Sequence, residues 1–186
     1  MDRNTNKRYV SYMKTLLISL LISITTHAHN GALTKAKLLN GESFQSLAAK
    51  EKKLVVFFLS ASCPCTKKNI PYLQKLSKEY SHFQFIGVHS NANENLDLAK
   101  KEFSNFDFPI AYDEKGEIAD QFKATKTPHV FVVSASDEIL YHGGVTNSID
   151  PKRAKNFYLD NALKDITNHK EVRQKFAKAL GCYIVR

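Results

Sequence analysis

The chain has 186 residues, 43% of them hydrophobic, enough for one well-packed domain with appendages and too few for two full domains. Its net charge of +9 is spread as lysines interleaved with acids, which reads as a solvated surface and excludes a nucleic-acid face. Three cysteines allow one internal bridge with a thiol left over, so the pattern excludes a disulfide scaffold and points to redox work in an oxidising compartment.

Residues 1–28 read as a targeting segment. From Met13, "MKTLLISLLISITTHAHN" has a charged start, an apolar stretch from Leu16 to Ile24, and the small residues Thr26 and Ala28 placed as at a secretory cleavage site. Met13 offers an alternative start. The apolar stretch is short for a membrane span, and an uncleaved anchor, held by the upstream "NKRYVSY", is the competing reading. Both leave residues 29–186 in an exported compartment, expected to be the periplasm.

Residues 29–186 show no repeat or linker and are expected to form one domain. "KLVVFFLS" (53–60) is a continuous β-branched and aromatic run, as in a strand covered on both faces. Residues 64–80 carry Ile70, Leu73, Leu76 and Tyr80 at helical spacing, with Pro64 suited to the first helical position. "FQFIGVHS" (83–90) is a second strand, and "NENLDLAKKEFSNF" a second helix through Leu96, Ala99 and Phe103. The acidic "DEKGE" (113–117) lacks the remaining ligands of a calcium loop and reads as a turn entering a short helix with Ile118, Ala119 and Phe122. "HVFVVS" (129–134) and "ILYHGG" (139–144) form a hairpin. Asp150 and Pro151 open a further helix with Leu159, Ala162, Leu163 and Ile166 on one face. The final segment, 169–186, has Val172, Phe176, Ala179 and Leu180 at helical spacing and is expected to dock as a helical arm that brings Cys182 near the sheet. The order predicts an α/β thioredoxin-like fold, a central mixed sheet flanked by helices.

The chemistry concentrates at "FFLSASCPCTKKNIP" (57–71). Cys63 follows a buried strand and precedes a helix, so its sulfur lies near unpaired N–H groups and the positive end of the helix dipole, where an exposed thiolate is favoured. Lys67 and Lys68 are expected to lower its pKa further. A partner one helical turn on would stand at position 66, which is Thr66. A Cys63–Cys65 bridge is open to the chain if Cys63 is non-helical, though its small ring is strained. A bridge of either residue to Cys182, or no internal pair at all, are the alternatives.

The stretches "LVVFFLSASCPCTKKNIPYLQKLSKEY", "DFPIAYDEKGEIADQFKATKTPHVFVV", "ILYHGG" and "ALGCYIVR" resemble an exported redoxin, a thioredoxin-like relative of the alkyl hydroperoxide reductase and thiol-specific antioxidant superfamily. The resemblance runs from about residue 40 to the C-terminus. It implies a redox-active thiol at Cys63, a second at Cys182, and a cis peptide between Thr127 and Pro128 whose loop presents backbone to an extended substrate. Relatives usually follow the hairpin with an Arg and a pair of acids, where this chain has "GGVTNSID".

The resemblance implies a thiol-disulfide oxidoreductase working through a mixed disulfide at Cys63, with Cys65 or Cys182 resolving. No cofactor is required, only protein thiol or disulfide substrates and an electron donor or acceptor, and the protein is expected to be monomeric. Two alternatives share the site. A thiol peroxidase would use Ser60, three residues before Cys63, and an arginine such as Arg153, although Val56 stands where peroxidases carry proline. A Cu(I)-handling protein would use Cys63, Cys65 and His129 as soft and borderline ligands, with His89 and His142 as weaker candidates.

Overall fold

A computed structural model describes residues 31–47 and 52–186. The targeting segment read at residues 1–28, with Met13 and the cleavage residues, lies outside the described residues. Among the described residues no helix is long and apolar enough to cross a membrane.

Strand β2 (Leu54–Leu59) is buried at every position, as its continuous apolar run predicts. Its side chains alternate between two cores. Val55, Phe57 and Leu59 join one, with Ile70, Leu73 and Leu76 of α3 (Pro64–Glu79), Ala99 and Phe103 of α4 (Leu96–Phe103), and Leu159 and Leu163 of α6 (Tyr158–Thr167). Leu54, Val56 and Phe58 join the other, with Leu33 of α1 (Gly31–Thr34), Phe44 of α2 (Phe44–Leu47), and Ile118 and Ala119 of α5 (Glu117–Gln121). Helices therefore cover both faces of one sheet.

The six-stranded sheet has the order β1-β4-β3-β2-β6-β7. Strand β3 (Gln84–His89) runs parallel to β2 and to β4 (Ile110–Tyr112). Strands β6 (His129–Val133) and β7 (Ile139–Gly143) form the expected antiparallel hairpin, with β6 antiparallel to β2. The mixed thioredoxin-like plan is as expected. Strand β1 (Lys37–Leu38), antiparallel to β4, and β4 itself were not predicted, because two and three residues are too short to display a period.

Two further expectations are corrected. The helix expected from Asp150 is broken: Asp150 does cap a turn, accepting from Lys152 N at 3.0 Å, but only a 3-10 turn (Pro151–Arg153) follows. Asn147 Oδ1 accepts the N–H groups of Lys155 and Asn156 at 2.9 and 3.0 Å and keeps them out of a helix, so α6 begins at Tyr158. The helical arm at 169–186 is instead an extended strap. Its backbone hydrogen-bonds to the free edge of β7, His142 N donating to Lys175 O and Ala177 N to His142 O. Phe176, assigned to the buried face by helical spacing, is 59% exposed, while its neighbour Ala177 is buried. Covering β7 in this way removes an unpaired edge. The strap crosses a glycine pair that admits no side chain: a Cβ on Gly143 (φ +142) would stand 1.9 Å from Ala177 O. It ends as β8 (Cys182–Tyr183), paired antiparallel with β5 (Lys126–Thr127).

Phe57 is fully buried, edge-on to Phe108 at 4.8 Å between ring centroids. Truncation to Phe57→Ala is expected to lower unfolding stability by about 3–5 kcal/mol, measured by urea denaturation.

Candidate active site

The apolar run of β2 ends at Leu59, and Pro64 opens α3 four residues after Ser60, so the intervening loop delivers Cys63 to the helix N-terminus. Cys63 is extended (φ −79°, ψ 117°) and caps α3, with Pro64 in the first turn as predicted. Because Cys63 is outside the helix, the rule that residues two apart diverge does not govern it. The sulfurs of Cys63, Cys65 and Cys182 all lie within 4.8 Å of one another. Cys182 Sγ is 2.6 Å from Cys63 Sγ, and the Cys63 thiol donates to Thr127 O at 3.3 Å. The Thr127–Pro128 peptide is cis.

Cys63 is 2% exposed, where an exposed sulfur was expected, because β8 lies across it. Burial pushes its pKa up. Hydrogen bonds from the Cys182 and Thr127 side chains and from the N–H groups of Thr66 and Cys182 outweigh burial and bring it down to about 7. The Thr127 hydroxyl is buried and has no partner while Cys63 is a thiol; it becomes a donor to that sulfur only in the ionised form, which is how it lowers the pKa. Cys65 is shifted upward by burial and then by the charge of Cys63. Cys182 is pushed up to about 12, by burial first and then by its hydrogen bond to Cys63 and that residue's charge. Of the three sulfurs, Cys63 is the one whose thiolate forms most readily.

The lysines do not act as expected. Lys67 is turned to Glu102, 2.9 Å away, and Lys68 acts on Cys65; hydrogen bonds, not ammonium groups, lower Cys63. Thr66 is fully buried, and besides turning its N–H to Cys63 it accepts from Ser60 N at 3.3 Å through its hydroxyl.

Sequence reasoning missed Glu94. This buried carboxylate accepts from Ser60 Oγ (2.6 Å), Ala61 N (2.7 Å) and Ser62 N (2.9 Å), and stands 2.7 Å from His89 Nε2. Burial raises its pKa, but the hydrogen bonds prevail and hold it at about 2. It clamps the loop that presents Cys63. Asn69, also missed, donates to Cys65 O (2.8 Å) and Ile149 O (3.1 Å) and ties α3 to the loop after β7. The acidic turn at 113–117 is structural: Asp113 accepts from Ile118 N and Ala119 N at the start of α5.

Of the peroxidase candidates, Ser60 spends its hydroxyl on Glu94, and Arg153 is exposed on the 3-10 turn. Among the described residues, the group able to hold a metal ion is the three thiols, a soft set suited to Cu(I). His129 is not in it. That imidazole is buried beside Phe131 and His142; burial and then the charge of His142 lower its pKa to about 4.

The protein family described as Redoxin matches residues 27–158. Over 88 residues the chain is 31% identical to "Thioredoxin-like protein YneN" of Bacillus subtilis (strain 168), covering 45% of this chain and 52% of that protein. Over 116 residues it is 26% identical to "Thiol-disulfide oxidoreductase ResA" of Halalkalibacterium halodurans, covering 60% and 65%. It therefore spans less than two thirds of either relative. The structure of an uncharacterized conserved protein from Geobacillus kaustophilus superposes with a TM-score of 0.72 at 21% identity, over 82% of this chain and 87% of that one, a likeness of fold. Cys182 and the strap lie beyond the residues matched by the family.

Two outcomes are expected. The rate of Cys63 alkylation by iodoacetamide rises with pH through a midpoint near 7 rather than the ordinary 9, and Thr127→Val, which deletes a thiolate donor, moves that midpoint upward. Glu94→Gln destabilises the fold by roughly 3 kcal/mol, as for removal of one partner from a buried charged network. The folded pKa of Glu94, about 2, is below its ordinary 4.5. The stability this gives is complete above 4.5 and is lost as pH falls toward 2, so urea denaturation of the variant loses that part of the acid dependence.

Proposed function

This chain belongs to the Redoxin family, and from that membership we propose that it is a thiol-disulfide oxidoreductase with Cys63 as attacking sulfur and Cys182 as resolving sulfur. The observation that carries the reading is the convergence of three thiols, one of them held near neutral pKa by hydrogen bonds while the other two are pushed up. The Cys63 thiolate attacks one sulfur of a client disulfide. The client S–S bond breaks, its other sulfur leaves as thiolate and takes a proton, and Cys63 is held in a mixed disulfide. The charge on Cys63 is then gone, and with it two of the causes that raise Cys182. Cys182 loses its proton, attacks Cys63 Sγ and expels the second client sulfur as a thiol. Two electrons have passed to the client, and the protein holds a Cys63–Cys182 disulfide. A dithiol partner reverses the sequence and restores the thiols. Cys65 is the third sulfur within reach, able to take over the bond to Cys63.

The charged, apolar and small-residue pattern of residues 13–28 supports export to a periplasmic compartment, where protein thiols or disulfides are the substrates and a second redox protein the electron donor or acceptor. The chain acts as a monomer without an organic cofactor. Cys63→Ser is expected to reduce insulin-type disulfide reduction to background, and Cys182→Ser to accumulate a mixed disulfide visible on non-reducing gels. Full activity of Cys63→Ser rejects the assignment; trapping by Cys65→Ser instead transfers the resolving role to Cys65.

A further inference from the structure

The backbone of Thr127 is the edge on which an extended segment can be laid against Cys63, and that edge is filled by the chain itself. Thr127 pairs with Cys182 and Lys126 with Tyr183, while Ile184 N donates to Thr125 O at 3.0 Å. The register sets a cysteine sulfur 2.6 Å from Cys63 Sγ, the position a client sulfur must reach for exchange. Cys182 thus stands in for a client cysteine on a client strand.

Resting on the disulfide-exchange reading, we propose that β8 occupies the docking edge for extended, cysteine-bearing client segments, and that its residues report what this edge accepts. Before the cysteine there is room only for glycine: a Cβ on Gly181 (φ +156) would stand 2.1 Å from Thr127 O. After the cysteine an aromatic is favoured, since Lys126 Nζ sits 4.4 Å from the Tyr183 ring centroid, a cation–π contact on a side chain 72% exposed. Next comes an apolar residue, as Ile184 packs against the core that holds Phe122 and Phe131. The client class is an extended Gly-Cys-aromatic-apolar segment, bound by strand addition.

The tail is built to leave. Its ladder is two residues long, and short pairings of this kind have little stability of their own. Its last anchors are Val185 with Asn91 and Ala92, and Arg186, which pairs with the exposed Asp120 at 2.7 Å and donates to Ala124 O at 2.9 Å, an ion pair that solvent screens. Upstream the strap is fixed far more firmly. Val172 and Ala177 lie in the core, and Arg173 forks onto the carboxylate of Asp165. Release therefore hinges between Lys178 and Gly181, uncovers Cys63 and frees the Thr127 edge, while Cys182 stays tethered close enough to return and resolve. Client and tail compete for one edge.

The full chain carrying Gly181→Val cannot seat its tail. With this variant, alkylation of Cys63 by a bulky iodoacetamide at about pH 10, above the ordinary thiol range so that the sulfur is ionised with or without the Cys182 donors, is expected to rise about tenfold, the effect of shifting the covering equilibrium by 1.4 kcal/mol. The same variant is then offered the peptide KALGCYIVR with its cysteine activated as a thionitrobenzoate disulfide. Cys63 thiolate attacks the peptide sulfur, a mixed disulfide forms, and thionitrobenzoate leaves and is counted by its colour. A peptide with valine in place of the glycine, and another with aspartate in place of the tyrosine, are each expected to react about tenfold more slowly. Arg186→Glu, which reverses one anchor without entering the site, gives a smaller gain in Cys63 alkylation and serves if Gly181→Val fails to fold. Equal rates for the three peptides, or no gain in alkylation from either folded variant, overturn the docking proposal. Hydroxyethyl disulfide separates the two levels. If Cys63 exchanges with it but does not discriminate among the peptides, only the docking proposal fails; if Cys63 exchanges with neither, the oxidoreductase reading fails.

Discussion

A sulfur only 2% exposed is ordinarily a poor anion, and Cys63 ionises near neutrality because donors surround it: the N–H groups of Thr66 and Cys182, the Thr127 hydroxyl and the Cys182 thiol. The rest of the site exists to hold that sulfur and those donors in register. Glu94 fixes the loop from below by taking three hydrogen bonds from Ser60, Ala61 and Ser62. The same loop is joined to the tail through Asn91, whose amide nitrogen donates to Ser60 Oγ and whose amide oxygen accepts from Val185 N. The nucleophile's environment is therefore supplied by three stretches of chain distant in sequence, meeting at one helix N-terminus.

The sequence carried the parts of this arrangement that depend on local pattern. Continuous burial of β2, the proline that opens α3, the hairpin of β6 and β7, and the placement of Cys63 at a strand-to-helix junction follow from composition and spacing over six to sixteen residues. The parts that depend on long-range closure were not legible. Glu94 is one acid in a polar loop, and its role appears only when β3 is laid beside β2 and the loop ends come together. The strap misled because Val172, Phe176, Ala179 and Leu180 mimic a helical stripe, whereas the free edge of β7 offers its backbone an extended partner. The lysines after Cys65 showed the right charge and the wrong direction: Lys67 is held by Glu102.

The glycine pair that ends the hairpin has a physical reason. Gly143 and Gly144 lie under the strap, with Ala177 O and Lys178 O where their side chains would be. Without side chains at these two positions, the last fifteen or so residues pass close over the sheet and turn back toward Thr127. The bare backbone at Gly143 and Gly144 and the arrival of Cys182 beside Cys63 are linked in this way.

That linkage bears on how a third thiol works in a site where the residue one turn after the nucleophile is Thr66. In a helix-borne pair, both sulfurs share a rigid scaffold and the resolving thiol is always at hand. Here Cys182, the resolving thiol of the proposed exchange, rides on a two-residue ladder separate from the helix, and under the docking proposal its position is governed by whether a client or the tail fills the Thr127 edge. In the proposed exchange, access of a client and withdrawal of Cys182 are then the same movement, because both use the same backbone hydrogen bonds of Thr127. On that scheme a mixed disulfide at Cys63 would be protected from premature resolution for as long as the client holds the edge, and would be resolved when the client strand lets go and the tail pairs again.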